Sequence, residues 1–232
     1  MLSNKFKVNY SVGAVANGVK TDTFTFFLLF FYSNIIGLNP GLAGSAIFIA
    51  LCIDAITDPL MGTISDRTNS SFGRRHPYMF ISFIPMSLGY ILLFAPRQEW
   101  DMSQTDLFIW MTIFTVITRI GMTLFDIPHR AFGGEVTKDY KERTILMSWR
   151  EMFAWVAGLS NAFLGYGVFF ASTPEFPQGQ LNPDVWFPFA LTGAAIMVFS
   201  VLYSSLSTKD EINSLSKWSG AISLLDLSLI HI

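Results

Sequence analysis

Long apolar blocks divided by short polar or turn-forming joints constrain this chain more than any other feature of its sequence. A helix that crosses a bilayer needs about 20 mainly apolar residues. Six stretches meet that need when a few polar residues are admitted: 10–36, 42–64, 78–95, 106–132, 145–170 and 185–206. Turn signals divide them at Gly37-Leu38-Asn39-Pro40, around Pro96, at Gly133-Gly134 and through the Pro- and Gly-rich stretch 174–183. Composition agrees: 51% of the residues are apolar and 14% charged, against about 25% charged in a soluble domain. The expected fold is an all-α membrane protein, with a six-helix transmembrane bundle over 1–207 and a separate segment over 208–232.

Several function classes fall away. A net charge of −2 offers no general attraction for nucleic acid. The single cysteine, Cys52, can neither close an intrachain disulfide nor anchor a metal cluster. There is no H-E-x-x-H zinc pattern and no serine–histidine pair that spacing places on facing spans, so an enzyme is not expected. The polar N-terminus lacks a short apolar core with a small-residue cleavage site, so no cleavable leader is expected.

Orientation follows from the basic residues. Lys5, Lys7, Arg67, Arg74, Arg75, Lys138, Lys141, Arg143, Lys209 and Lys217 fall at one set of span ends, and only Arg97 at the other. Both termini are therefore expected on the cytoplasmic side of a cell membrane. Ala154, Gly158 and Ala162 put small residues at intervals of four on the fifth span, the pattern of close helix packing in a bilayer.

Ionisable groups inside the spans are costly and mark pathways, coupling sites or structural pairs. They are Lys20 and Asp22 in the first span, Asp54 and Asp58 in the second, Arg119, Asp126, His129 and Arg130 in the fourth, and Arg150 and Glu151 in the fifth. Asp54 and Asp58, four apart, share a helix face, where two carboxylates repel unless a cation or proton lies between them. Thr57 adds an oxygen, and Pro59 frees a carbonyl one turn back. The equal alternative is a structural pairing of these carboxylates with Arg119 or Arg150. Asp126 and Arg130 are also four apart, with Thr123 one turn earlier. Such a pair, with Arg150, suits hydrogen bonding to a sugar or other polyol, or else simply neutralises itself. His129 points another way and is not expected to be a ligand.

The run Asp54-Ala-Ile-Thr-Asp58-Pro-Leu-Met-Gly62-Thr-Ile-Ser-Asp66-Arg67-Thr-Asn-Ser-Ser-Phe-Gly73-Arg74-Arg75-His-Pro77, followed by Thr123-Leu-Phe-Asp126-Ile-Pro128, Lys138-Asp-Tyr-Lys-Glu-Arg143 and Arg150, resembles the glycoside–pentoside–hexuronide:cation symporters. These are the melibiose permease group of the major facilitator superfamily. The resemblance covers residues 9–207 and implies the N-terminal six-helix half of such a transporter. It implies a cation site of Asp54, Asp58, Thr57 and Thr123, for a sodium ion or a proton, with no other metal or cofactor. Position 57 is commonly Asn in sodium-using members, so Thr57 leaves proton coupling open. The solute carboxylate and arginine would be Asp126 and Arg150. Gly18 and Arg130 stand where the family has a sugar-binding Asp and a stacking Trp, which argues against a melibiose-like galactoside and gives a uronide or other acidic solute equal weight. Gly62, Asp66, Arg67, Gly73, Arg74 and Arg75 resemble the cytoplasmic gate, although positive-inside bias alone also accounts for the arginines.

A symporter of this kind rocks two six-helix halves about a midplane site. The expected partners are a small sugar-like solute, the lipid bilayer, and a C-terminal six-helix half or a second copy of this one. Residues 208–217 fit the start of a central loop, while 218–232 is apolar, too short to span and unlike the family, as a truncated or non-native tail would be. The competing readings are a transporter of a lipid-like or other non-sugar solute, and a non-transporting membrane sensor or assembly protein.

Overall fold

Asn39 and Pro40 show how the joints are built. Gly37 takes a left-handed φ of 86° and ends the first segment, and the Asn39 side chain then accepts the Gly41 N–H to open the next helix with Pro40 in its first turn. The computed structural model describes residues 2–70 and 72–209, and among them no strand occurs. The chain runs through α1 (Asn4–Val12), α2 (Ala14–Asp22), a π-helical turn (Thr23–Phe27), α3 (Leu28–Phe30) and a second π-helical turn (Phe31–Ile36). There follow α4 (Pro40–Arg67), α5 (His76–Ile81), α6 (Phe83–Leu93), α7 (Gln104–Glu135), α8 (Tyr140–Leu164, extended by a π-helical turn Gly165–Phe169) and α9 (Trp186–Ser207).

Among the described residues five segments are single stretches long and apolar enough to cross a membrane: Pro40–Arg67, His76–Leu93, Gln104–Glu135, Tyr140–Phe169 and Pro183–Ser207. The first expected span is instead the compound rod from α1 to the second π-helical turn. π-Helical turns of this sort break the regular ladder and are frequent near functional sites.

The Gly133-Gly134 pair does not form a turn, contrary to the sequence reading; both residues lie inside α7. A Cβ on Gly133 would come within 2.2 Å of the Tyr10 hydroxyl, so the glycine serves the close approach of α1 and not a reversal. The turn falls after α7, before Asp139 caps α8 by accepting the Lys141 and Glu142 N–H groups. Ser103 and Asp106 form a capping box at the opposite end of α7. The segment 208–232, expected to be a loop and tail, lies outside the described residues beyond Lys209.

α7 is central: α4 packs on one side of it and α6 on another, while α2 packs on α8 and α9. One end of the bundle closes on Trp186, which meets Phe30, Phe31, Phe94 and Phe170 with ring centroids 4.6–6.3 Å apart. Toward the other end Tyr10 stacks on His129 at 4.2 Å and His129 on Phe125 at 4.8 Å. Large apolar side chains such as Phe48, Ile56, Trp155 and Phe163 stay exposed on α4 and α8, as suits helices whose surroundings are lipid or further helices.

Candidate cation and solute site

Two helices that each carry functional groups four residues apart meet in register. Asp54 and Asp58 occupy one face of α4, and Arg119 and Thr123 occupy the facing side of α7. Asp54 forms an ion pair with Arg119. Asp58 accepts the Thr123 hydroxyl at 2.7 Å. The result is a two-rung ladder along the α4–α7 contact, one rung an ion pair and the other a hydroxyl-to-carboxylate hydrogen bond. Of the two readings left open by spacing, Asp54 takes the structural pairing with Arg119, whereas Asp58 has no basic partner within salt-bridge distance among the described residues. Thr57 turns back on its own helix, its hydroxyl 3.5 Å from the Asp54 carbonyl. One carboxylate oxygen of Asp54 and the Arg119 Nε are buried without hydrogen-bond partners.

Lys20 joins this region from α2. Its Nζ lies 5.9 Å from the centre of the Phe24 ring, and the Arg119 guanidinium carbon lies 5.5 Å from the same ring. One aromatic ring therefore serves two cations, each attracted by the ring quadrupole.

One to two turns further along α7 the charges close into a ring. Arg130 donates to Asp126 at 2.7 Å. Asp126 pairs with Arg150 of α8, Arg150 pairs with its neighbour Glu151, and Glu151 returns to Arg130 at 3.7 Å. Two carboxylates and two guanidiniums thus alternate, so the ring carries no net charge. Arg150 is fully buried at its inner corner, while the Arg130 and Glu151 side chains are 47% and 49% exposed. The open edge presents both donors and acceptors, as a polyol requires.

Gly18 stands apart from both clusters. A Cβ there would fall 2.1 Å from the Ala154 carbonyl oxygen, so Gly18 is where α2 and α8 touch. Gly158 meets the same helix one turn on, near Asp22, and the small-residue face of the fifth span is thereby used for packing. His129 is likewise internal: its Nε2 donates to the Tyr10 carbonyl at 3.0 Å, and its own carbonyl accepts the Tyr10 hydroxyl at 3.1 Å.

The residues of the gate-like segment lie partly on helices. Gly62, Asp66 and Arg67 belong to the end of α4, and Gly73 turns the following loop with a φ of 78°. Arg75 is buried and donates to Asp66 and to Glu135, each at 2.8 Å; Arg74 reaches the same Glu135 oxygen at 2.9 Å. Arg67 forms no ion pair among the described residues.

Sequence reasoning missed one participant and gave two others no partner. Glu135, the anion shared by two arginines, was hidden because the Gly133-Gly134 pair was read as the end of the helix. Glu151 was noted as a charge but given no partner. Asp22 is buried between spans and accepts the Asn161 amide at 2.7 Å; the same amide reaches Thr23 at 3.1 Å, and Thr23 meets Tyr90 at 2.7 Å. The signal for this last network was an Asp and an Asn at mid-span, each needing a polar partner.

The family model described as MFS/sugar transport protein matches residues 9–223. The chain is 31% identical over 164 residues to Inner membrane symporter YicJ of Escherichia coli strain K12, covering 71% of this chain and 35% of that protein. It is 35% identical over 161 residues to Uncharacterized symporter YnaJ of Bacillus subtilis strain 168, covering 68% and 33%. Putative glycoside/cation symporter YagG of Escherichia coli strain K12 is 31% identical over 159 residues, covering 68% and 34%. The chain thus spans only about a third of the length of the curated relatives it matches.

Proposed function

Since this chain belongs to the MFS/sugar transport protein family of membrane symporters, we propose that it forms the coupling and solute-binding part of a cation:solute symporter whose solute is a sugar or sugar derivative. The observation that carries the reading is the pairing, within membrane-spanning helices, of the Asp54/Asp58–Arg119/Thr123 ladder with the neighbouring ring of Asp126, Arg130, Arg150 and Glu151. Charges held at such depth are kept for a function that uses them.

The two clusters divide the work. The ladder, with Asp58 as the carboxylate lacking a fixed cation, is the coupling site, taking a proton or sodium ion, and Thr57 and Thr123 are its hydroxyl neighbours. The ring is the solute site: sugar hydroxyls bond to the exposed edges of Arg130 and Glu151 while Arg150 holds Asp126 in place. An acidic solute group would have to compete with Asp126 and Glu151 for the same guanidiniums, so the neutral ring favours a glycoside over a uronide. α7 carries residues of both sites, Thr123 and Asp126 being three apart, which mechanically ties occupancy of one to the geometry of the other.

The Asp66–Arg75–Glu135–Arg74 cluster is the cytoplasmic gate, whose ion pairs favour one access state and are released in the other. The end of the bundle that carries that cluster faces the cytoplasm. Alternating access needs a second bundle against this one, in the same or another polypeptide. Uptake of labelled methyl glycosides and glucuronides into vesicles bearing the protein tests the proposal. Accumulation that follows an imposed proton or sodium gradient is expected; equilibration that ignores both gradients would refute symport.

A further inference from the structure

Within the ladder the Asp54 carboxylate is already neutralised by Arg119, and Lys20 lies over the same Phe24 ring as the Arg119 guanidinium. We infer that Arg119 is the resident cation of this site: its guanidinium occupies the position at Asp54 that a coupling sodium ion would take, so that binding and coupling here do not use sodium. The inference rests on the reading of Asp54 and Asp58 as the coupling site.

The placement is built into the helices. Arg119 precedes Thr123 by one turn just as Asp54 precedes Asp58, so packing that brings Thr123 to Asp58 necessarily delivers Arg119 to Asp54. Both members of the ionic rung are mostly buried, with side chains 12% and 21% exposed. Removing the guanidinium to admit a sodium ion would strand it in a low-dielectric interior, where no other carboxylate lies within salt-bridge distance of it among the described residues. Adding sodium at Asp54 beside it would set two cations against one carboxylate.

The remaining oxygens do not make a sodium site. The Thr57 hydroxyl faces its own helix, and one oxygen of Asp58 is engaged by Thr123. A hard monovalent cation needs several converging oxygen ligands, and Asp58 offers a single carboxylate. The buried, unpaired oxygen of Asp54 fits a neutral hydrogen-bond donor, because its partner oxygen is already neutralised by Arg119.

Every residue in this argument belongs to the present chain, so the test needs no transport cycle. Thermal unfolding of the purified chain in detergent is measured in sodium chloride and in choline chloride at equal ionic strength. The wild type and Arg119→Lys are expected to melt at the same temperature in both salts. Arg119→Gln removes the resident cation and is expected to gain sodium-specific stabilisation that grows with concentration, as a ligand binding only the folded state requires. Adding Asp54→Asn to that variant should abolish the gain. A sodium-specific rise in the wild type or in Arg119→Lys overturns the inference, as does a folded, monodisperse Arg119→Gln protein indifferent to sodium. Should Arg119→Gln fail to fold, the other two proteins decide: a rise in either overturns it, and none in both supports it. Sodium-driven uptake by the wild type would sink this inference and leave the symporter reading intact. Sodium stabilisation of Arg119→Gln alone, with no gradient-driven uptake of any kind, would do the reverse.

Discussion

Thr123 donates its hydroxyl hydrogen to Asp58 at 2.7 Å across the α4–α7 contact, and Asp58 has no cationic partner within salt-bridge distance among the described residues. Its neighbour four residues earlier is bound to Arg119. The two carboxylates therefore have different partners despite sharing one helix face. Asp54 is held by an ion pair, while Asp58, the proposed coupling carboxylate, is held only by a hydroxyl.

Asp58→Asn tests that difference. The amide oxygen can still accept from Thr123, so helix packing should survive and the melting temperature should change little. Coupling should be lost: gradient-driven uptake into vesicles is expected to fall to the background of empty vesicles, with membrane insertion unchanged by fractionation. Uptake at the wild-type level would remove Asp58 from the coupling site.

The ionic ring makes a sharper energetic claim. Arg150 is fully buried between Asp126 and Glu151. Arg150→Met strips a buried guanidinium from two carboxylates and should destabilise the protein by roughly 3–5 kcal/mol, the usual penalty for breaking a buried pair from one side. Combining it with Asp126→Leu should recover much of the loss. A double-mutant cycle on thermal or denaturant unfolding would show coupling of at least about 1 kcal/mol; strictly additive losses would mean that the ring does not act as a unit.

Gly18 tests a different link, from residue size to helix separation. Gly18→Ala places a methyl 2.1 Å from the Ala154 carbonyl oxygen and must push α2 from α8. Overpacking of this kind costs roughly 1–3 kcal/mol. Gly44→Ala is the control: nothing lies within 4 Å of its Cβ position, so its melting temperature should be unchanged or slightly raised. Equal effects at the two sites would contradict the helix-contact role of Gly18.

Glu135 links two arginines at the end of α7. Glu135→Gln keeps the shape and removes the shared charge from Arg74 and Arg75. The ion pairs are partly exposed, so the loss is worth about 1 kcal/mol. Trypsin should cut the segment around Arg74 and Arg75 roughly fivefold faster, in line with that energy. An unchanged rate would show that Glu135 does not hold the segment closed.

How much of this was legible in advance differs from residue to residue. Asp54, Asp58, Thr123 and Asp126 stood out because charged or hydroxyl groups at four-residue or three-residue spacing fall on one helix face whatever the tertiary context. Arg119 was visible as one of two candidate partners, since an intramembrane carboxylate seeks a cation, but spacing does not say which helix faces which. Glu135 and Glu151 were not legible as partners, because each completes a network that exists only where separate elements cross.

The amino-acid sequence by itself determined that the chain enters a membrane as a bundle of helices, because apolar length and the placement of basic residues are local, additive quantities. It also determined which faces of those helices carry charge. Only the tertiary structure decided that Asp54 belongs to Arg119, that four charges near Arg150 close into a neutral ring, and that Gly18 and Gly133 serve contact between helices. Each depends on the register and distance at which two helices meet. A periodic pattern of residues tells which face points inward, whereas the axial offset between neighbouring helices is set by how all their side chains pack together.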